Sequence, residues 1–187
     1  SLVFCSSSPP RSEWYRFLDL VLAVAEEYCN AREVYTFGAM ISMGPHSVDR
    51  ELLAVTNSPL MKDALAGQGL EMEMDYETPP GQRPTLNSFL LWVAQRRRLA
   101  GASLWVPIPF YLVSTEDPRA WKRVVQFFDR RFDLGLDLSD LDQEIARQDQ
   151  KIAQLRMMFP DVDNCLRKLE NGLPLIQDEH ERLVKQI

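Results

Sequence analysis

The 187-residue sequence predicts an α/β fold followed by a helical extension, and three observations carry that expectation. The chain opens with a strand-like run, a run at helical spacing and a second strand-like run. Its most apolar stretch, Ser103 to Tyr111, is continuous rather than alternating, as a strand buried on both faces requires. No strand candidate follows Phe132, while helical periodicity persists to the end. The expected division is an α/β core over 1–134 and a helical hairpin or three-helix extension over 135–187.

Leu2 to Cys5 reads as a strand, stopped by Ser6-Ser7-Ser8-Pro9-Pro10. Ser12 is placed to cap a helix running to Cys29, with Trp14, Phe17, Leu18, Val21, Leu22, Ala25 and Tyr28 on one face. Glu33 to Met43 is the next strand. The three pieces make a βαβ unit, which implies a parallel pair. Met43 to Ser47 is a loop and Leu52 to Thr56 a strand. Asn57 or Ser58 caps a short helix with Pro59 at its first position, running to about Ala66. Glu71 to Glu77 alternates acidic and apolar residues, the pattern of a half-exposed strand. Thr85 caps a helix to Leu99, and Gly101 is expected to stop it. The apolar strand then spans Ala102 to Val113, with pairing ending near Pro107 and Pro109, which lack an N–H. Asp117-Pro118 starts a helix whose buried face is read as Trp121, Val124, Val125, Phe128 and Phe132.

The C-terminal part differs in kind. Leu138, Leu141, Ile145, Ile152, Leu155 and Phe159 fall on heptad core positions, with Gln148 as the polar exception. Pro160 opens a second helix with Val162, Cys165, Leu166 and Leu169 inward, ended by Asn171-Gly172. Leu173 to Ile187 is read as a third. Packing on its own chain and packing on a neighbouring subunit both satisfy this pattern.

Composition narrows the function classes. The net charge is −6, which weighs against a nucleic-acid or anionic-membrane binder. Residues 135–187 hold seven Lys/Arg against eleven Asp/Glu, so the extension is the more acidic part. No apolar run is long enough to cross a bilayer. The basic run Arg96-Arg97-Arg98 ends a predicted helix, where cations complement the macrodipole. Cys5, Cys29 and Cys165 are far apart in sequence and only His46 and His180 accompany them, so no metal site is expected. Buried free thiols and a cytoplasmic location are expected instead. Ser1 to Pro10 lacks the basic start and long apolar run of a secretory leader. The abrupt opening at Ser1 points to upstream strands absent from this sequence.

No GxSxG, GxxxxGK[ST] or GxGxxG motif occurs, so no catalytic residue and no cofactor are assigned. His46 follows a strand end, the rim where open α/β sheets bind ligands. Tyr76 to Thr85 joins a strand to a helix N-terminus, whose free N–H groups suit an anion. Glu77, Gly81, Arg83, His46 and Tyr111 are therefore the candidate ligand-binding residues. Against this, three prolines and one glycine in the loop describe a stiff connector. The row Glu71, Glu73, Asp75 and Glu77 reads as a solvated strand face. Trp105, Pro107, Pro109, Phe110 and Tyr111 fit either a pocket wall or the core at the sheet end. His180, among Asp178, Glu179 and Glu181, reads as solvated.

The order of short motifs resembles the second family of proteasome assembly chaperones in its bacterial branch, a group placed with the ATP-grasp superfamily. Val34 to Ala39 resembles that family's strand entering a glycine. Gly44-Pro45-His46-Ser47 resembles its Pro-His-Thr loop, and Tyr76 to Gly81 its Tyr-x-Gly-Pro-x-Gly loop. Ala100 to Tyr111 resembles its most recognisable stretch, and Asp117-Pro118-Arg119-Ala120 its next helix start. Gln82, Arg83 and Pro84 stand where the family loop has glycines, and Ser47-Val48 where Thr-Arg is usual. The chain ends Leu183-Val184-Lys185-Gln186-Ile187, without the hydrophobic-Tyr-x tail that docks some relatives on the proteasome. The resemblance implies a three-layer α/β/α core of the phosphorylase/hydrolase-like kind with a helical extension. The expected function is a non-catalytic, self-associating interaction protein of assembly-chaperone type with a possible protein partner. The alternative is a binder of, or enzyme on, a nucleotide, nucleoside or phosphate at the strand-end rim.

Overall fold

A computed structural model describes residues 2–5, 8–49, 51–72 and 81–187 of the chain. The fold is mixed α/β, of the three-layer α/β/α class. Among the described residues it has a four-stranded sheet, ordered β1-β4-β2-β3, and seven α-helices. The chain forms two compact units, Ser1–Gly38 with Leu53–Trp105, and Ala39–Leu52 with Val106–Ile187.

In the first unit, α1 (Trp14–Cys29) buries Leu18 and Leu22. They pack with Val93, Ala94 and Leu99, and Val34 and Phe89 close the cluster. Tyr28, assigned inward from its spacing, is 79% exposed, because the face in contact with α3 (Leu86–Arg96) is narrower than the apolar stripe. Ser12 does not cap α1. Glu13 holds the cap position in the left-handed region and no side chain bonds there. Leu2–Cys5 forms no strand and Leu2, Val3 and Phe4 are exposed, so the expected βαβ opening is not formed by the described residues. Apolar residues alone do not make a strand; they need a ladder partner.

Strand β1 spans Glu33–Ser42, β2 Leu52–Thr56, β3 Leu70–Glu71 and β4 Ala100–Pro109. β2 pairs antiparallel with β4, from Leu53 opposite Trp105 to Thr56 opposite Ala102. The alternating segment expected over 71–77 lies largely outside the described residues. Helix α2 (Pro59–Leu65) is capped by Ser58, whose side chain accepts the Met61 N–H. Thr85 caps α3 through the Ser88 N–H. That helix ends at Arg96, not Leu99. Arg97 is drawn to Asp19 and Glu26, Arg98 turns left-handed, and Arg96 lies over the Trp92 ring at 4.2 Å. Gly101 is therefore not a helix stop. It sits inside β4, where an added Cβ would fall 2.9 Å from both Leu91 Cδ2 and Val34 Cγ1.

In the second unit, β4 leads into a short 3₁₀ turn, Phe110–Leu112, and then α4 (Pro118–Phe132). Asp117 caps α4, its Oδ1 accepting the Arg119 and Ala120 N–H groups. The buried line on α4 runs through Ala120 and Phe127, and Trp121 is exposed. Counting the largest side chains had placed that face one position too far round. Helices α5 (Ser139–Met158) and α6 (Pro160–Glu170) form the hairpin, with Ile152 of α5 and Val162, Cys165, Leu166 and Leu169 of α6 buried. Of the expected heptad positions only Ile152 is fully buried; Leu138, Leu141, Ile145 and Leu155 are half-buried, and Phe159, in the turn beyond α5, is exposed. α7 begins at Gln177 rather than Leu173, because Pro174 keeps Leu173 extended and the Glu179 carboxylate accepts the Ile176 N–H at 3.0 Å. The three helices share one core with Tyr111 and Leu112. α5 is tied to α4 by the Arg119–Asp149 and Lys122–Asp142 ion pairs. The extension thus packs on its own chain. Cys165 is buried, but Cys5 and Cys29 are exposed, against the expectation of buried thiols.

Candidate functional site

The second unit carries an open cleft lined by His46, Asp49, Pro107, Pro109, Asp117, Arg119 and Arg123, with Val48, Val106 and Ala120 beside them. Local sequence explains each wall. Pro107 and Pro109 offer no N–H to a ladder, so the end of β4 is free to form a wall. The Asp117-Pro118 start fixes the first turn of α4. Arg119 and Arg123, four residues apart, then share one helix face.

His46 is held by Tyr111, a buried residue that follows β4. The His46 N–H donates to the Tyr111 hydroxyl at 2.7 Å, and that hydroxyl also bonds the ring Nδ1 at 2.8 Å. The rings meet edge-on at 6.0 Å. His46 is only 9% exposed. Burial holds its pKa below the usual histidine value, the Arg119 guanidinium pushes the same way, and Asp149 and Glu170 oppose it. The ring is accordingly neutral near pH 7.

The arginines are partly committed. Arg119 Nη2 donates to Asp149 at 2.7 Å, while Nη1 is buried without a partner among the described residues. Arg123 pairs with Asp49 at 2.7 Å, and the Asp49 side chain is 99% exposed. The cleft's interior space is about 20 Å³, room for one water. A nucleotide needs several hundred Å³. The interior of this site can hold the tip of a small polar group.

The predicted site residues are distributed as follows. His46 and Tyr111 are together, in direct hydrogen bond, and His46 lines the cleft. Gly81 is exposed in the first unit with φ +83°, and Arg83 is exposed beside it. Glu77 lies outside the described residues, as do Glu73 and Asp75. Arg119, Arg123 and Asp49 were not among the predicted residues. Their signal was present: two arginines spaced i, i+4 after a helix cap, and an aspartate three residues beyond His46. His180 is not simply solvated. It stacks on Phe110 with centroids 4.6 Å apart.

A second cavity of about 120 Å³ lies between α6 and α7, with Phe159, Val162, Cys165 and Leu183 among its lining residues. Burial pushes the Cys165 thiol up, which makes it a poor nucleophile. Among the described residues no group of His, Cys, Asp and Glu could hold a metal ion. Among the described residues no helix is long and apolar enough to cross a membrane.

Residues 1–156 match the family model described as the PAC2 family. A PAC2 family protein from Streptomyces avermitilis is similar in structure at TM-score 0.63 and 22% identity, covering 78% of this chain and 58% of that one. A Mycobacterium tuberculosis proteasome-assembly chaperone homologue aligns at TM-score 0.61 and 18% identity, over 78% of this chain and 58% of that one. PbaA of Pyrococcus furiosus, an archaeal homologue of proteasome-assembly chaperone, aligns at TM-score 0.57 and 19% identity, over 80% and 63%. The chain thus spans about three-fifths of the length of these solved structures. No curated protein matches it.

Proposed function

Because the chain belongs to the PAC2 family, we propose that it is a non-catalytic, assembly-chaperone-like protein that self-associates and works through protein contacts. The turn between α5 and α6 supports this reading. There Met157 is 78% exposed and Met158 63%, and Phe159 is exposed beside them. Methionines adapt to varied apolar partners, so such a cluster suits an interaction surface. The hairpin's inner face is already filled by its own chain, which leaves this outer turn for a second copy. Two proteins of the same fold are homologues of proteasome-assembly chaperones, in line with the same role. The free cysteines suit a reducing, cytoplasmic setting.

Light scattering over a concentration series tests the reading. The wild-type chain should exceed the mass of one chain. Met157→Glu with Met158→Glu should return it to that mass with unchanged helicity. A wild-type chain that stays at one-chain mass at the highest concentration sinks the proposal.

A second reading is favoured by the His46 cleft alone. A ligand-binding protein or a hydrolase-like enzyme would use that rim, with the tip of the ligand entering the small interior.

A further inference from the structure

The geometry points to the cleft beside His46 as a binding site for a compact oxyanion, a phosphate or carboxylate head. Arg119, Arg123 and the Nε2–H of His46 would hold it. Three observations converge. First, the Tyr111 hydroxyl accepts the His46 backbone N–H and lies 2.8 Å from the ring Nδ1, so that side of the imidazole is engaged and Nε2 is the nitrogen left to meet a ligand, as a donor in the tautomer in which Nδ1 accepts from the hydroxyl. Nε2 has no protein partner among the described residues, and His46 lines the cleft. Second, Arg119 spends Nη2 on Asp149 and leaves Nη1 unsatisfied, an arrangement that buried donors rarely keep without a ligand or water. Third, Arg123 is engaged by a carboxylate that is itself almost wholly in solvent. An exposed pair of this kind is weak, so an incoming anion can take its place.

The surroundings set the class of ligand. Asp117 faces the same cleft with its Oδ1 accepting the Arg119 and Ala120 amides, and Asp149 is bonded to Arg119. Asp49 is the carboxylate that must leave. It is a built-in competitor, holding Arg123 Nη2 at 2.7 Å with the chemistry an external oxyanion would bring. Guanidinium forks match the oxygens of phosphate and carboxylate. The cleft admits only the head of such a group, so the rest of the ligand stays outside. This inference stands apart from the self-association reading, which uses the α5–α6 turn.

Side-chain NMR of the full chain tests it. The Arg Nε–H and His Nε2–H signals are followed during titration with inorganic phosphate and, separately, with a short N-acetylated peptide bearing a free C-terminal carboxylate. Ionic strength is held constant with sodium chloride. The Arg123 and His46 signals should shift saturably with millimolar affinity. Saturation by phosphate alone assigns a free small anion, by the peptide alone a protein carboxylate, and by both the head group as such. Arg123→Gln should weaken binding several-fold. Asp49→Asn should strengthen it several-fold, an effect that loss of a merely structural ion pair would not produce. Asp49 is fully exposed, so that variant keeps the test alive if the arginine variant does not fold. Linear, unsaturable shifts with both probes, or weaker binding in Asp49→Asn, overturn the site.

Discussion

His46 is a buried base held in its neutral form, and this couples folding to pH in one direction. Burial lowers its folded-state pKa, with Arg119 adding to the effect, while in the unfolded chain it titrates near the ordinary histidine value of 6.5. As pH falls below that value, the unfolded state takes up the proton first. The stability tied to His46 is therefore fully present above pH 6.5 and lost as pH falls through the folded pKa. One proton gives a slope of at most about 1.4 kcal/mol per pH unit. Besides burial, the Arg119 and Arg156 guanidinium groups disfavour a further cation on the ring, while Asp149 and Glu170 favour it. Urea unfolding between pH 5 and 8 on wild-type and His46→Gln chains checks this. The wild-type minus variant difference should be level above pH 6.5 and decline below it. A difference that is level throughout would show that His46 is not held neutral.

Element by element, what was legible in the sequence was local. Ser58, Thr85 and Asp117 are short polar side chains just before helix-spaced apolar runs, and each accepts the amide bonds such a position needs. The inward residues of α6 were legible for the same reason, whereas the α5 heptad overstated burial: Ile152 alone is buried, and Phe159, at the turn beyond the helix, is exposed. Gly101 was not legible, because its need is tertiary: Leu91 and Val34 press on the place of a Cβ, and neither neighbour is near it in sequence. Half of the cleft was legible for a related reason. His46 and Tyr111 stand out as polar residues at a strand rim, whereas Arg119 and Arg123 were absorbed into a helix start. Asp117 marks the element scale most sharply. It is 6% exposed and its carboxylate serves two amides at 3.1 and 3.2 Å. Asp117→Ala should cost about 1–2 kcal/mol. Ser58→Ala, with one amide lost from a half-buried turn, should cost less. Thermal melts of the two variants compare them, and an equal or reversed order would show that the α4 start is set by Pro118 and tertiary contacts rather than by the cap.

At the scale of the whole molecule, charge and apolar surface oppose each other. The chain carries −6, and residues 135–187 hold eleven acidic against seven basic side chains. Many of those basic groups are committed internally. Arg156 bonds Asp163 and Glu170, and Lys168 bonds Glu179. In the proposed self-association the exposed Met157, Met158 and Phe159 of the α5–α6 turn would meet a second copy, yet each copy would bring the same net negative extension with it. Contact between apolar turns is then resisted by like-charge repulsion that acts over roughly 10 Å at 0.1 M salt and further at lower salt. Added salt shortens that range and leaves the apolar contact intact. Self-association should therefore tighten as sodium chloride rises from about 20 to about 300 mM, then level off once the screening length falls well below the spacing of the charges. A partner-exchanging ion pair would behave oppositely, since screening weakens attraction between unlike charges. Light scattering at fixed protein concentration across that salt range separates the two. A mass that rises with salt supports an apolar seam at the hairpin turn. A mass that falls would move the contact to a charged face and leave Met157 and Met158 without a role in it.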